Sequence, residues 1–270
     1  MTYDDTPRED TNKTPWWQRA WAALIFFTRL PLWRVYQPPR EAYTAVVEWW
    51  PLAGWITGGC MAVVVYLGSM VLPQTVAVVA AVLLRVLLTG GLHEDGLADF
   101  CDGFGGGRGD RERILAIMKD SHSGTYGILA LVIHTLLLCA CLTSLPAGVA
   151  AMTLFAADPY AKMLTAQLTQ MMPYARNEQT SKAHIVYRRF PVAAGLWLFV
   201  LGVLPLAPLL WLYGSVVSWH SVVFVPCIVF YFLYLFIWRT LRGYTGDCCG
   251  AVCLITEMSF LLTVVVCFYR

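Results

Sequence analysis

Charged residues are scarce in this sequence. Only 13% of its 270 residues are Asp, Glu, Lys or Arg, whereas roughly 25% is usual for soluble globular proteins. Hydrophobic residues make up 58% of the chain, and the mean hydropathy is +0.60. These polar residues are too few to cover the surface of a soluble globular protein of this size, so soluble α/β folds are excluded. The composition predicts an all-α, polytopic integral membrane helical bundle.

Other absences narrow the range of functions. The nine cysteines show no CxxC pair repeated at zinc spacing, and the five histidines form no cluster, which argues against a zinc or histidine-ligated metal site. No basic stripe points to a nucleic-acid partner. The N-terminal residues do not resemble a signal peptide. The chain also lacks the internal repeats that mark many secondary transporters.

Long apolar runs divide the chain into membrane-spanning segments, each near the ~20 residues that cross a bilayer. Residues 16–33 are apolar but interrupted by arginines, which predicts an interfacial or short re-entrant N-terminal helix. Residues 1–15 are expected to form a disordered cytoplasmic tail, and residues 16–270 a single membrane catalytic domain. The seven predicted spans are residues 50–72, 75–92, 126–144, 147–171, 192–213, 222–238 and 250–269.

Positive charge indicates the orientation, because basic residues concentrate in cytoplasmic loops. The chain has 19 Lys and Arg residues. Only Arg85, Lys162 and Arg270 lie outside the N-terminal segment and the loops that share its side of the membrane. We therefore expect a cytoplasmic N-terminus, an external C-terminus and an active site that faces the cytoplasm.

The most informative stretch is the acidic segment after the second span. If that span continues as a helix past the interface, Asp95, Asp99 and Asp102 fall at i, i+4 and i+7 on one face. Converging carboxylates repel each other unless a cation joins them, and oxygen ligands suit Mg²⁺ or Mn²⁺. The alternative is a solvated acidic helix end. Against it, the flanking Gly96 and Gly103 would let another backbone approach closely.

A glycine-rich segment follows the acids. Five glycines between Gly103 and Gly109 predict a flexible loop, ended by Asp110 as the N-cap of a helix over residues 111–119. This loop either wraps phosphates or is only a linker. Arg108 and Lys119 bracket it with positive charge, as phosphate ligands or as ordinary cytoplasmic anchors.

The combination predicts a reaction class. Asp120 brings a fourth carboxylate back to the membrane surface. A carboxylate-bound metal beside cations and a glycine-rich loop favours phosphoryl or nucleotidyl transfer. Hydrolysis, transfer to an alcohol and transfer from a nucleotide-activated donor are not distinguished by these residues alone.

Several charged residues fall inside predicted spans, where ionisable groups are costly and usually face the bundle interior. Asp158 and Lys162, at i and i+4, form either a structural ion pair or a substrate contact. Arg85 is interpreted in the same way, with an unidentified partner, and Glu257 suggests an inward-facing polar path. Asp247 is either a site residue or part of a helix N-cap.

Several short motifs are distributed through most of the chain: Phe27-Thr-Arg-Leu-Pro31, Trp50-Pro-Leu-Ala-Gly54, Thr89-Gly-Gly-Leu-His-Glu-Asp-Gly-Leu-Ala-Asp99, Asp102-Gly103, Ile117-Met-Lys-Asp-Ser121 with Gly124, and Gly243-Tyr-Thr-Gly-Asp-Cys-Cys-Gly-Ala251. In these motifs the sequence resembles the adenosylcobinamide-GDP ribazoletransferase (cobalamin synthase) family. The resemblance is most specific in the central acidic block. The sequence departs from the family at Asp158-Pro-Tyr160, where many members have Ser-Arg, and after Tyr174-Ala-Arg176, where an expected glycine is missing.

This resemblance implies transfer of the adenosylcobinamide phosphate moiety from adenosylcobinamide-GDP to α-ribazole or its 5′-phosphate, with release of GMP and with Mg²⁺ as cofactor. It implies a bacterial inner membrane and, as partners, other corrinoid-assembly enzymes. The implied catalytic residues are Asp95, Asp99, Asp102 and Asp120, the first three also as metal ligands. The implied substrate-binding residues are Arg108, Lys119, Ser121, Gly124, Thr245 and Asp247.

Two alternative functions remain. Asp99-x-x-Asp102-Gly103 also resembles part of the signature of CDP-alcohol phosphotransferases, although its other elements do not match. A cation-coupled transporter would also use membrane aspartates, but it would place them near the middle of spans rather than at a helix end. The general base is an aspartate of the cluster or Asp120, and the sequence does not choose between them.

Overall fold

The fold is almost entirely helical in the computed structural model, which describes residues 14–120, 122–176 and 189–270. Within these ranges no β-strand occurs, and one isolated bridge pairs Tyr174 with Tyr244. A ten-residue 3₁₀ segment, Arg40–Trp49, precedes the second α-helix. The helices are α1 Trp16–Phe27, α2 Trp50–Gly68, α3 Gln74–Thr89, α4 Leu92–Gly106, α5 Arg111–Lys119, α6 Thr125–Ser144, α7 Ala147–Met171, α8 Val192–Val203, α9 Leu206–Tyr213, α10 Trp219–Leu241 and α11 Gly246–Phe268.

The helices confirm a multi-pass membrane protein. Five helical segments of the described chain are long and apolar enough to span a bilayer, and α3 with α4 would make a sixth if the bent pair is one span. Five of the seven predicted spans overlap these five segments, the span predicted over residues 75–92 overlaps α3 of the bent pair, and the one predicted over residues 147–171 overlaps α7. Helix α7 has 25 residues but is not apolar enough to be counted among these segments, and most of its residues are buried. It is therefore the interior helix of the bundle.

Small residues bring α2 against α7. A Cβ at Gly54 would lie 2.8 Å from the Pro159 backbone, and one at Gly58 would lie 2.8 Å from the carbonyl oxygen of Leu154. At this contact the Lys162 ammonium donates a hydrogen bond to the Asp158 carboxylate, which also accepts a hydrogen bond from the Thr57 hydroxyl. Of the two alternatives left open for these residues, the ion pair is formed, and its charges are satisfied inside the bundle.

The acidic segment is a separate helix. We expected the second span to continue through it, but that expectation is wrong, because α3 and α4 meet at an angle of 89°. Gly90 and Gly91 make the turn with φ angles of 67° and 72°, a left-handed conformation that glycine adopts at little cost. Asp95, Asp99 and Asp102 nevertheless keep their helical spacing, since all three lie within α4.

The predicted glycine loop is mostly helical. Gly103, Gly105 and Gly106 belong to α4, so the prediction of a flexible loop over residues 103–109 is wrong for most of its length. A Cβ at Gly103 would lie 2.7 Å from the Met118 side chain, and one at Gly105 would lie 2.6 Å from the Tyr126 ring. These glycines therefore let α5 and α6 pack closely on α4. The helix predicted over residues 111–119 is confirmed, and the Asp110 side chain caps it by accepting the N–H of Arg113 at 2.9 Å.

The N-terminal helix α1 packs against the 3₁₀ segment and α2 rather than spanning the bundle. It has only 12 residues, too few for a bilayer crossing, as expected for the N-terminal segment. The Phe27 ring stacks on Trp50 with centroids 4.9 Å apart and planes at 6°. This contact fixes the end of α1 beside the start of α2 and close to α4.

Candidate active site

The three aspartates of α4 have different environments. Asp95 is exposed, whereas Asp99 and Asp102 are buried. Within the described ranges, no three His, Cys, Asp or Glu side chains lie close enough together to hold a metal ion between them. Helical spacing alone has therefore not made a closed metal cage in this arrangement.

Asp102 is held by backbone groups of the next membrane helix. Its two carboxylate oxygens accept the N–H of Gly124 at 2.7 Å and the N–H of Gly127 at 2.9 Å. Helix α6 begins at Thr125 and has no side-chain cap of its own, so Asp102 caps it from α4. The negative charge also lies at the favourable end of the α6 dipole.

The first turn of α11 brings a further carboxylate to α4. Thr245 caps α11 by accepting the N–H of Cys248 at 3.2 Å, and Asp247 is buried beside it. The Arg176 guanidinium lies 3.5 Å from Asp247. A Cβ at Gly96 would lie 3.1 Å from both Gly250 Cα and the carbonyl oxygen of Asp247, so the predicted close approach at Gly96 is confirmed. The N-cap belongs to Thr245, and Asp247 faces the acidic helix.

Two cavities meet at Asp95. The larger has a volume of about 550 Å³ and is lined by the two glycines of the bend, Arg29, Ser123 and Asp95. The smaller, of about 160 Å³, lies between α1, α4 and α11 and is lined by Trp50, His93, Asp95 and Asp247. Asp95 and Leu92 line both. The first turn of α4 is therefore open to a ligand from two sides.

A short backbone bridge positions Arg176. The N–H of Ala175 donates to the carbonyl oxygen of Tyr244 at 2.8 Å, and the N–H of Tyr244 donates to that of Pro173 at 3.0 Å. The Arg111 side chain donates to the carbonyl oxygens of Leu241 and Ala175 at 2.8 and 2.7 Å. Arg111 thus joins α5 to both bridged segments, which hold Arg176 beside α11.

The other predicted residues are more peripheral. Arg108 and Lys119 are exposed, and Arg108 has a left-handed φ of 54°. The Asp120 carboxylate lies 2.6 Å from His122 Nδ1, on the surface. This hydrogen bond and the charge of Asp120 raise the pKa of His122. Ser121 lies outside the described residues. Neither cavity is lined by Arg108, Lys119 or Asp120.

Two cations at the site were not among the predicted binding residues. Arg29 lines the larger cavity, where a Cβ at Gly90 would collide with its side chain. Arg176 pairs with Asp247. Both residues lie in segments noted in the sequence, Phe27-Thr-Arg-Leu-Pro31 and Tyr174-Ala-Arg176, where they were counted only as cytoplasmic charge. For Arg29, its place in a family motif was the signal that could have identified it, and for Arg176 the signal was its place directly before the departure from the family pattern.

Comparison with known sequences gives the family. The profile of the family described as Cobalamin-5-phosphate synthase matches residues 19–265. The chain belongs to this family. The match includes α4, the bridge at Tyr244 and nearly all of α11, so the Cobalamin-5-phosphate synthase match covers every element that builds the site.

Curated relatives of this family member cover the same length. A protein named adenosylcobinamide-GDP ribazoletransferase from Leptospira interrogans is 32% identical over 255 residues, 93% of this chain and 96% of the relative. Proteins of the same name from Shewanella baltica and Shewanella amazonensis are 36% and 37% identical, over 90% and 87% of this chain and 92% and 90% of theirs. No solved structure matches.

Proposed function

We propose that this chain transfers the adenosylcobinamide phosphate moiety from adenosylcobinamide-GDP to α-ribazole, or to α-ribazole 5′-phosphate, with release of GMP. The product is adenosylcobalamin or its 5′-phosphate. The observation that carries the proposal is the meeting of Asp95 and Asp247 in one cavity, with Arg29 on the wall of the adjoining larger cavity and Arg176 3.5 Å from Asp247. Family membership and the names of the relatives support the choice of substrates.

The reaction exchanges the phosphoanhydride bond of the diphosphate for a new phosphate ester bond. The ribazole hydroxyl oxygen bonds to the phosphorus that carries cobinamide, and the bond from that phosphorus to the bridging oxygen of the diphosphate breaks. GMP leaves with the bridging oxygen, and the hydroxyl proton passes to a base. Asp102 is a poor candidate for this base, since both of its oxygens accept backbone hydrogen bonds. Asp95 and Asp120 are exposed and remain candidates.

We further propose that Mg²⁺, for which Mn²⁺ can substitute, binds at the aspartates of α4 with Asp95 as its first ligand, because Asp95, Asp99 and Asp102 do not lie close enough together to enclose the ion between them. Their oxygen donors fit a hard cation, and Mg²⁺ is usually held by one or two carboxylates together with waters and substrate phosphates. The open Asp95 suits such a shared site, whereas Asp102 retains only the lone pairs not used by Gly124 and Gly127. When bound, the ion would neutralise charge on the diphosphate.

The cations of the site have separate tasks in this proposal. Arg29 is exposed on the wall of the larger cavity. It would bind the diphosphate oxygens of adenosylcobinamide-GDP as this donor enters the cavity. Arg176 is buried against Asp247 and would orient that carboxylate rather than contact the donor. Arg108, Lys119, Ser121, Gly124 and Thr245 were candidates for substrate contact. Gly124 and Thr245 act through backbone and capping bonds here, which favours a positioning role for them.

The site is proposed to face the cytoplasm of a bacterial inner membrane, with the C-terminus on the other side. The distribution of Lys and Arg supports this orientation. Substrates would then arrive from cytoplasmic enzymes of corrinoid assembly, which are the expected partners together with the lipid bilayer. No feature of the described chain favours a nucleic acid.

The test is reconstitution. The purified protein in liposomes receives adenosylcobinamide-GDP, α-ribazole and Mg²⁺, and corrinoid products and GMP are followed by chromatography. We expect one GMP per complete cobamide and loss of product with EDTA. Folded wild-type protein that forms no product would overturn the assignment, and activity with a CDP-activated alcohol would instead support the phosphotransferase alternative. Product with α-ribazole 5′-phosphate alone would select that acceptor.

A further inference from the structure

Three charged residues meet where α3, the first turn of α4 and α11 come together, next to the candidate active site. Arg85 Nη1 donates to both oxygens of Glu257, at 3.1 and 2.9 Å. The Nε atom of the same guanidinium lies 3.4 Å from the Glu94 carboxylate. Arg85 belongs to α3, Glu94 to the first turn of α4 and Glu257 to α11. We call these residues the Arg85 cluster.

The Arg85 cluster is buried. The exposed fractions of the Arg85, Glu94 and Glu257 side chains are 5%, 17% and 3%. Ionisable groups at such positions in a membrane protein are costly and tend to be functional. Their charges compensate one another only while all three helices keep their places, because a displaced partner leaves a buried charge unpaired.

The position of the cluster connects it to the catalytic carboxylates. Arg85 lies one turn before the bend at Gly90 and Gly91, and Glu94 lies just after it. Glu94 is the immediate neighbour of Asp95, while Glu257 is on the same helix as Asp247. A single guanidinium therefore bridges the helices that bring the two cavity carboxylates together.

We infer that Arg85 is a positioning residue, which holds α4 against α11 at the separation of Asp95 and Asp247 that the transfer reaction needs. The two-glycine turn leaves the angle between α3 and α4 free to vary. Backbone contact at Gly96 permits close approach of α4 and α11. The ion pairs of Arg85 supply the restraint that the glycines lack. This inference rests on the proposed function, because it assigns the pairing of the carboxylates a catalytic purpose.

The chain contains a matched control. Asp158 and Lys162 are also a buried ion pair, but both lie within α7, and their hydrogen-bonded partner is Thr57 of α2. Removing that pair disturbs the α2–α7 contact and removes no partner that Arg85 contacts. Lys162 lies close enough to Arg85, Glu94 and Glu257 to act on their charges, so the control also tests whether charge near the cluster is sufficient. The two double variants Arg85→Gln with Glu257→Gln, and Asp158→Asn with Lys162→Gln, therefore remove comparable charges at different sites. Each removes one cation and one anion. The Arg85 double variant also takes from Glu94 its guanidinium partner, which is part of the restraint under test.

The experiment measures turnover and local stability for both double variants. For Arg85→Gln with Glu257→Gln we expect kcat to fall by about a hundredfold, as small misplacements of reacting groups do, with a smaller change in KM. Amide hydrogen exchange should accelerate in α4 and not in α7. The control should retain a kcat close to that of the wild type and show faster exchange in α7. Lysine keeps the positive charge but lacks the planar guanidinium that contacts Glu94 and Glu257 together. Arg85→Lys should therefore have a kcat between those of the wild type and the double variant.

The outcomes separate the inference from the proposed function. An active wild type with unchanged kcat and unchanged α4 exchange in the Arg85 double variant would overturn the inference. Equal losses of kcat in both double variants would also overturn it, since a general structural role would then suffice. An inactive wild type would overturn the proposed function. The exchange of α4 would still report whether Arg85 restrains that helix, because it requires no substrate.

Discussion

The two halves of α4 carry the same residue types but differ in structure. In the first half, Asp95 is exposed and borders two cavities, and Gly96 admits the backbone of α11. In the second half, Asp102 is buried and satisfied by two backbone N–H groups, and the glycines admit side chains of α5 and α6. One helix thus presents an open end for chemistry and a closed end for support. Aspartates at regular helical spacing need not share one function.

The largest expected effect comes from the open half. Asp95→Asn keeps the shape of the side chain but removes its charge, so we expect kcat to fall by roughly 10²–10³-fold, a loss typical for one electrostatic group at a reacting phosphate or carbonyl. The unfolding temperature should not change, because Asp95 is exposed. GMP release and thermal unfolding in detergent check both statements. Full activity in this variant would remove Asp95 from the site.

Substitution in the closed half should reduce stability more than activity. Asp102→Asn places an amide nitrogen against a backbone N–H at one of its two hydrogen bonds, which should reduce the free energy of unfolding by about 1.5–3 kcal/mol. Activity per folded molecule should fall less than in Asp95→Asn. Denaturant unfolding in mixed micelles gives the first quantity. If the Asp102→Asn protein were as stable as the wild type but inactive, Asp102 would take part in the reaction rather than support the fold.

Steric pressure on the same contact should have a somewhat smaller effect. A Cβ at Gly124 would lie 2.5 Å from Asp102 Oδ1, so Gly124→Ala should destabilise the protein by about 1–3 kcal/mol, the usual cost of overpacking. Gly195→Ala is the matched control, since Gly195 lies within α8 and a Cβ there meets nothing within 4 Å. We expect that control to be neutral or slightly stabilising. Equal unfolding temperatures for the two variants would contradict the close contact.

The smallest effect concerns the surface beyond the closed half. The hydrogen bond from Asp120, at 2.6 Å, raises the pKa of His122. A raised pKa in the folded state stabilises the protein below the ordinary histidine pKa of ~6.5, and this contribution is lost as pH rises through the folded value. Asp120→Asn should return the pKa of His122 toward its ordinary value in a histidine NMR titration. An unchanged titration would show that the pair does not form in solution.

Sequence patterns predicted the parts of the molecule that depend on local chemistry. Hydropathy located helices at the predicted spans, Asp110 marked the start of α5, and the i, i+4 spacing placed Asp158 beside Lys162. The helices, the cap and the ion pair are confirmed, because each depends on residues within one helix or its cap. The acids were also correctly placed on one helix, since that spacing is local too.

Tertiary contacts were not predictable in the same way. The glycines after Asp102 have loop-like composition, yet they are helical because α5 and α6 pack against them. The break at Gly90 and Gly91 was missed because two glycines between apolar helices are also compatible with a continuous span. Arg85 had no identifiable partner, since Glu257 is 172 positions away in sequence. Arg176 was overlooked for the same reason, as Asp247 is 71 positions away.

The bend between α3 and α4 has a consequence for the surrounding lipid. Helix α3 has 16 residues, about 24 Å at 1.5 Å per residue, whereas the hydrocarbon layer is about 30 Å thick. If α3 crosses this layer by itself, the mismatch favours local thinning of the bilayer beside it. The acidic helix would then lie slightly below the level of the surrounding headgroups. A large amphiphilic substrate could therefore approach it sideways along the membrane surface.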